Sequence, residues 1–343
     1  MTNLKYCIVI LISISLLTNV KSSAQITAFN DSIHSLGLDY FHGRNGKFMD
    51  RDKGVSLVLE AAELGNTHAL CNAGILYTEG IYVQKNDSLA LSCFVKAADL
   101  GDSDAMDECG LRFAQGKGFQ QDHATAFKYF LGAANAGNPN GAFNLAVCYQ
   151  NGEGTEQNYT EAIRWYRFAA EYNHAKAQYH LAKSYYLGGN GVKKDLDQSY
   201  YWAKMAGENG IMDGLNLSGI IIQNTRPIEA FDAFKKAYEG MDFYGRRNYA
   251  DALREGIGCE KNIPLAFEVY REGCESEDPY CQYYLGILLI DNDVTLSFTD
   301  GQISGKEVKK FAENLLKSSA EQGFEDAKIY CDKHNIKYKK PKI

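Results

Sequence analysis

Four columns of residues recur at one spacing, and that spacing decides what the chain can fold into. The pair Ala61-Ala62 returns as Ala97-Ala98, Ala133-Ala134, Ala169-Ala170 and Met205-Ala206, 36 residues apart each time. Gly80, Gly116, Gly152 and Gly188 keep the interval, as do Tyr77, Phe113, Tyr149 and Tyr185, and Phe94, Phe130, Tyr166 and Trp202. A period of this length marks a supersecondary unit that cannot bury its apolar face alone and therefore stacks on its neighbours.

Each unit reads as two helices. In GAFNLAVCYQNG, apolar residues fall three and four apart from Ala142 onward, which makes one buried stripe. Asn-Gly then ends the helix, because glycine accepts the left-handed backbone of a helix C-terminus. The second helix, TEAIRWYRFAAEY (160–172), is predicted to open on Thr160 as N-cap and carries Ala162, Ile163, Tyr166, Ala169 and Ala170 on one face. The Ala-Ala pair lets this helix lie close to the first helix of the next unit. A bulky replacement there would overpack the contact at a cost of roughly 1–3 kcal/mol.

The period survives where the sequence drifts. The unit ending at Ala237-Tyr238 is shortened to 32 residues because its inter-helix loop shrinks to NTRP (224–227). Gly273-Cys274 returns at 36, and the unit ending at Ser319-Ala320 is stretched by an insertion near 291–306. With a slightly irregular first unit over 31–62 and a lone helix over 324–335, the pattern predicts eight helix pairs, a capping helix and the basic tail KYKKPKI.

Stretches such as AFNLAVCYQNGEGTEQNYTEAIRWYRFAAEYNHAKAQYHLAKSYYLGGNGV resemble Sel-one-like repeats of the tetratricopeptide superfamily, best from about residue 67 to 210. The resemblance implies an all-α, right-handed α-solenoid of antiparallel helix pairs filling residues 25–343 as a single body. It also implies a scaffold that binds a protein or peptide through a concave groove lined by the first helices. By analogy with tetratricopeptide arrays, groove positions are Lys176, Tyr179, Lys183 and Tyr186 in one repeat, Tyr244, Arg247, Asp251 and Arg254 in another, and Tyr280 and Tyr283 in a third. Tyrosine and arginine dominate binding hot spots, and a cationic, aromatic stretch in an acidic protein suits an extended peptide with acidic groups. Asn72, Asn144, Asn216 and Asn248 share a column just before the glycine or alanine of the first helix. They serve either as bridges between helices or as groove contacts, and the spacing leaves both open.

Cysteine-rich secreted members of that family bridge similar places, with the second cysteine one position later, which makes Cys274 and Cys281 the pair for a disulfide. Cys93, Cys109 and Cys148 fall on the apolar stripe, where a free thiol packs as a small hydrophobe.

The constellations an enzyme needs are missing. There is no HExxH, CxxC or GxSxG, and no serine has lysine three residues on. The segment LSFTDGQISGKE (296–307) matches the second half of a calcium loop at Asp300, Gly301, Ile303, Ser304 and Glu307, yet Leu296 and Phe298 offer no side-chain oxygen. It reads instead as a turn at Asp300-Gly301 and a capping box from Ser304 to Glu307. The loop LGGNGVKKD (187–195) has the composition of a phosphate cradle. Its siblings TEGIYVQKND, AQGKGFQQD and QNGEGTEQN share only glycine, so the slot requires a backbone turn and not a charge. No cofactor or metal is expected.

The N-terminus MTNLKYCIVILISISLLTNVKSSAQ places Lys5 before an apolar run, with Ser22 and Ala24 at positions −3 and −1 of a cut after Ala24. This reads as a signal peptide over residues 1–24, with a retained anchor as the alternative. The expected location is periplasmic or extracellular. A net charge of −7 argues against a nucleic-acid partner. The leading expectation is an exported, non-enzymatic scaffold, and the alternative is a cell-wall-associated enzyme or a peptidoglycan- or β-lactam-binding protein.

Overall fold

The computed structural model describes residues 23–189, 191–291, 296–298, 301–303 and 305–340. The export segment expected over 1–24 lies, up to residue 22, outside them. The chain divides into two compact units, 1–174 and 175–343.

The N-terminal unit holds four helix pairs: α1 (Ser23–His42) with α2 (Arg51–Glu63), α3 (Thr67–Glu79) with α4 (Asp87–Asp99), α5 (Ser103–Gln115) with α6 (His123–Asn135), and α7 (Pro139–Asn151) with α8 (Tyr159–Glu171). The C-terminal unit holds α9 (Ala175–Leu187) with α10 (Leu196–Glu208), α11 (Met212–Ile222) with α12 (Pro227–Glu239), and α13 (Phe243–Glu255) with α14 (Ile263–Glu275). It ends with α15 (Pro279–Asp291), α16 (Lys306–Glu321) and α17 (Glu325–Lys333). Between α15 and α16, β1 (Leu296–Phe298) pairs antiparallel with β2 (Gly301–Ile303).

Two columns of asparagine and aspartate start the helices. Asn66, Asp102, Asn138 and Asp242 cap first helices, and Asp50, Asn86, Asp122, Asn158, Asp195 and Asn262 cap second helices. Each side chain accepts a backbone N–H that the helix itself leaves without a partner, and each is worth about 1 kcal/mol. The expected cap Thr160 is corrected by this: α8 starts at Tyr159, and Asn158 accepts the Glu161 N–H. The turn expected at Asp300 and the capping box expected from Ser304 fall on residues outside the described ones. Pro227 opens α12, where its missing N–H costs nothing.

Within a repeat, an aromatic ring from the second helix packs onto a glycine of the first. Phe94 meets Gly74, Phe130 meets Gly110 and Phe234 meets Gly219, so closely that a Cβ on any of these glycines would overlap the ring. Between repeats the alanine column makes the close approach the sequence assigns it. Ala61, Ala97, Ala133, Ala169, Ala206 and Ala237 are fully buried, and Ala133 and Ala237 touch Gly141 and Gly245 of the following first helix.

The glycine-rich loops are packing devices. Gly118, Gly154 and Gly258 all have positive φ, and a Cβ on them would fall on the carbonyl oxygen of Asp87, His123 and Pro227 respectively. Each loop therefore lies against the start of the second helix of the preceding repeat, an approach only glycine permits. Gly188, Gly189 and Gly191 also have positive φ, in a turn closed by a bridge from Gly189 to Val192.

Candidate functional site

The first helices carry most of the unexplained chemistry. In the C-terminal unit, α9, α11, α13 and α15 surround a recess of about 340 Å³. Tyr179 comes from α9, Asp213, Asn216, Leu217 and Ile220 from α11, Tyr244, Arg247 and Asn248 from α13, and Tyr280 from α15. Of the residues the sequence nominated, the recess brings together Tyr179, Tyr244, Arg247 and Tyr280. Lys176, Lys183, Tyr186, Arg254 and Tyr283 do not line it. Lys176 and Lys183 are exposed, and the Tyr186 ring lies under Lys194 Nζ at 5.5 Å. Tyr283 packs against Phe324 and Tyr330, with ring centroids 5.4 and 6.4 Å away.

The two groove arginines are engaged within the chain. Arg247 donates from Nε and Nη2 to the two oxygens of Asp278, at 2.9 and 2.5 Å. Its guanidinium also lies over Phe243, Tyr244 and Tyr280, at 4.2, 5.4 and 5.0 Å from the ring centres. Asp278 caps α15 through the Tyr280 N–H and accepts the Cys281 thiol as well. Burial raises its pKa, but the bonds from Arg247 and Cys281 and the attraction of the Arg247 charge outweigh this and hold it below the usual carboxylate value. Arg254 Nη2 donates to Asp251 and Glu255 at 3.1 and 2.7 Å, with Tyr284 stacked 4.5 Å from the guanidinium. Asp251 also accepts the hydroxyls of Tyr270 and Tyr280, both at 2.5 Å. Both arginines of the expected cationic stretch are thus paired with carboxylates and packed on aromatic rings.

The asparagine column runs between first helices. Asn72 Nδ2 reaches His34 Nε2 at 2.8 Å, Asn144 Nδ2 donates to Asp107 Oδ1 at 2.8 Å, and Asn248 Nδ2 donates to Asn216 Oδ1 at 2.6 Å. Asp213, Leu217 and Ile220 were not named as groove residues, because the repeat over 175–211 is one residue longer than those before it and shifts the column that follows. Asn216 was visible in its column, without the direction in which it points.

A second recess, of about 510 Å³, lies in the N-terminal unit. His34, His68, Cys71, Asn72, Asp102, Asp104 and Glu108 line it with Phe94 and others. His34 and His68 stack at 6.4 Å, and burial, then the neighbouring His68, lowers the His34 pKa against the pull of Asp31. Beside the recess, buried Arg112 is pinned by Glu108 at 2.9 Å, by Thr78 and by the Phe94 ring at 5.0 Å.

Cys274 and Cys281 stand as free thiols in the structure. The Cys281 sulfur abuts the backbone of Gly273, one position before Cys274, and one position on a helix is a turn of about 100° about its axis. All eight cysteines from Cys71 to Cys331 are free. Among the described residues, no three His, Cys, Asp or Glu side chains are placed to hold a metal ion, and no helix is long and apolar enough to cross a membrane.

Comparison with known proteins agrees with this architecture. The Sel1 repeat pattern matches residues 31–66, 67–102, 103–138, 139–174, 175–211 and 244–278. The crystal structure of c5321, a protective antigen of uropathogenic Escherichia coli strains with an SLR fold, superposes with a TM-score of 0.81 at 25% identity over 91% of this chain. The match spans 66% of that protein's length. A Sel1 repeat protein from Oxalobacter formigenes superposes with a TM-score of 0.58 at 24% identity, over 69% of this chain and 94% of that one. No curated protein matches the sequence. Six matched repeats, the alanine-to-glycine contacts between successive pairs and the solenoid fold of c5321 lead to one conclusion: the chain belongs to the Sel1 repeat family.

Proposed function

We propose that this protein is an exported, non-enzymatic scaffold that binds a protein or peptide partner on the first helices of its C-terminal unit. The observation that carries the reading is the recess in which Tyr179, Tyr244 and Tyr280, from three different helices, converge beside Leu217 and Ile220. Rigid aromatic walls of this kind give large contact area at low entropic cost. Because Arg247 and Arg254 are already neutralised by Asp278 and Asp251, the partner segment is mainly uncharged rather than acidic. Export rests on Lys5, the apolar run and the Ser22/Ala24 pattern, and on c5321 being a protective antigen, a role consistent with placement outside the cytoplasm.

The test is cross-linking capture from the native envelope, with the wild type beside a Tyr179→Ala/Tyr244→Ala/Tyr280→Ala variant. Partners captured by the wild type and lost by the variant support the proposal. The same partners captured equally by both would sink it.

A further inference from the structure

The loops that join the two helices of the first three repeats leave large apolar side chains in water. Phe48 is 93% exposed, Met49 60%, Tyr82 51% and Phe119 63%. Single exposed residues of this kind mean little, but three successive loops carry these along one edge of the N-terminal unit. Arg51 Nη1 donates to the Tyr82 hydroxyl at 3.3 Å, and Phe41 meets the Tyr82 ring edge-on at 6.2 Å, which ties the second loop to the first. Ser88 Oγ donates to the Gly118 carbonyl at 3.2 Å, which ties the third loop to the helix that follows the second.

Tyr82 breaks the rule of its own slot. Gly118, Gly154 and Gly258 fill that place in other repeats, all with positive φ. Tyr82 holds a φ of 56°, a left-handed backbone that is costly for an aromatic residue. Its ring stays half in solvent, so burial does not offset that cost. A residue that breaks the local rule of a repeat without such a gain points to function.

Charge names the occupant. Over 43–53, 80–87 and 116–122, Arg44, Lys47, Arg51, Lys53, Lys85 and Lys117 stand against four aspartates, in a chain whose net charge is −7. Of those aspartates, Asp50 and Asp122 cap helices, and Asp87 lies 3.6 Å from buried Arg112. A protein partner would hold each tip in a fitted, desolvated pocket. A ring as exposed as Phe48 touches little of its own chain, and a fluid lipid interface receives it without a matched pocket. Apolar tips rimmed by cations are the complement of a bilayer with anionic headgroups.

We propose that this edge of the N-terminal unit docks on an anionic bilayer surface. Phe48, Met49, Tyr82 and Phe119 enter the interface, and Arg44, Lys47, Lys85 and Lys117 meet the headgroups. The surface uses no residue of the recess in the C-terminal unit and does not depend on the scaffold reading.

The experiment places a tryptophan on the full chain at Phe48→Trp, at Phe119→Trp or, as control, at Tyr172→Trp, a helix-end residue that is 61% exposed. Trp165 and Trp202 are nearly buried and give the same background in all three. Vesicles are phosphatidylcholine alone or mixed equally with phosphatidylglycerol, with brominated acyl chains as quencher. Both tip reporters are expected to shift to the blue and be quenched on the anionic vesicles, while the control stays in water. Adding Lys47→Gln or Lys117→Gln to Phe48→Trp should move the midpoint of the lipid titration by about 5-fold each. Both lysines are exposed, so the fold is not disturbed. Tips that stay in water overturn the proposal, even if vesicles capture the chain through another segment. Quenching as strong on phosphatidylcholine alone, or at Tyr172→Trp, overturns it too. A blue shift that needs no vesicle and grows with protein concentration overturns it in favour of a second copy of the chain.

Discussion

Asp278 is buried and accepts four donors, two of them from Arg247, at the point where one repeat hands over to the next. The carboxylate is the cap of α15, and the guanidinium belongs to the preceding first helix, α13. Elsewhere the capping side chain reaches back in the opposite polarity: Asn66 donates to Asp31 and Asn138 to Asp104. The same slot thus ties consecutive repeats together with an amide or with an ion pair.

Replacing Arg247 by methionine keeps the packing against Phe243 and Tyr280 and strands the Asp278 charge, which costs about 3–5 kcal/mol at neutral pH. The sign with pH is defined. In the wild type the Asp278 pKa is depressed, so its contribution stands above the unfolded carboxylate value and fades as pH falls through the lower folded value. In Arg247→Met the buried carboxyl prefers its proton, so the deficit is largest at neutral pH and shrinks in acid. Thermal melts of both proteins at pH 7.5 and 4.5 check this. An equal deficit at both pH values would mean that Arg247 acts by packing alone.

Asp107 behaves in the reverse sense. Burial, with Glu108 and Asp104 adding to it against the bond from Asn144, raises its pKa to about 6. The folded state therefore binds a proton that the unfolded chain releases near pH 4, and this group's contribution falls as pH rises from about 4 to 6. Asp107→Asn keeps an oxygen for Asn144 and removes the charge. It is expected to raise stability by on the order of 2 kcal/mol at pH 8 and by almost nothing at pH 4. Denaturant midpoints at the two pH values measure it.

The architecture was legible because a 36-residue period repeats alanine, glycine and aromatic columns that pack on one another. The caps were less legible. Thr160 satisfied the N-cap preference by type, but the repeat itself holds Asn86, Asp122 and Asn158 in one column, and the column decides. At the site, sequence could name Arg247 as a surface cation, because its partner Asp278 is recognisable only once helices of neighbouring repeats are in place, whereas Arg254 and Asp251 stand three apart on one helix and their pairing follows from spacing alone. The asparagine column was visible while its bonds were not, since an amide looks the same whether it bridges helices or faces a ligand.

Gly110 illustrates why the small residue of the first helix matters. The Phe130 ring lies where its Cβ would stand, so Gly110→Ala is expected to destabilise by about 1–3 kcal/mol despite alanine's better helix propensity. Adding Phe130→Leu should recover part of that loss, because the smaller side chain vacates the ring's space. A double-mutant cycle from urea midpoints reports the coupling, and additive effects would contradict the packing described.

The thiols make the last prediction, and it bears on export. Burial pushes Cys71, Cys109, Cys148 and Cys274 up to about 12, far above the ordinary free value of about 8.5. At pH 8 the reactive thiolate is correspondingly scarce, so iodoacetamide should label these four about 100-fold or more slowly in the native protein than in denaturant. In denaturant without reductant, all eight cysteines from Cys71 to Cys331 should label, even in protein recovered from an oxidising compartment. The geometry favours that outcome: the Cys281 sulfur faces Gly273 and donates to Asp278, and a bridge would remove that thiol donor from the buried carboxylate. Mass spectrometry of the labelled peptides decides it. Cys274 and Cys281 unlabelled until reductant is added would show that the bridge forms and that α15 turns to make it.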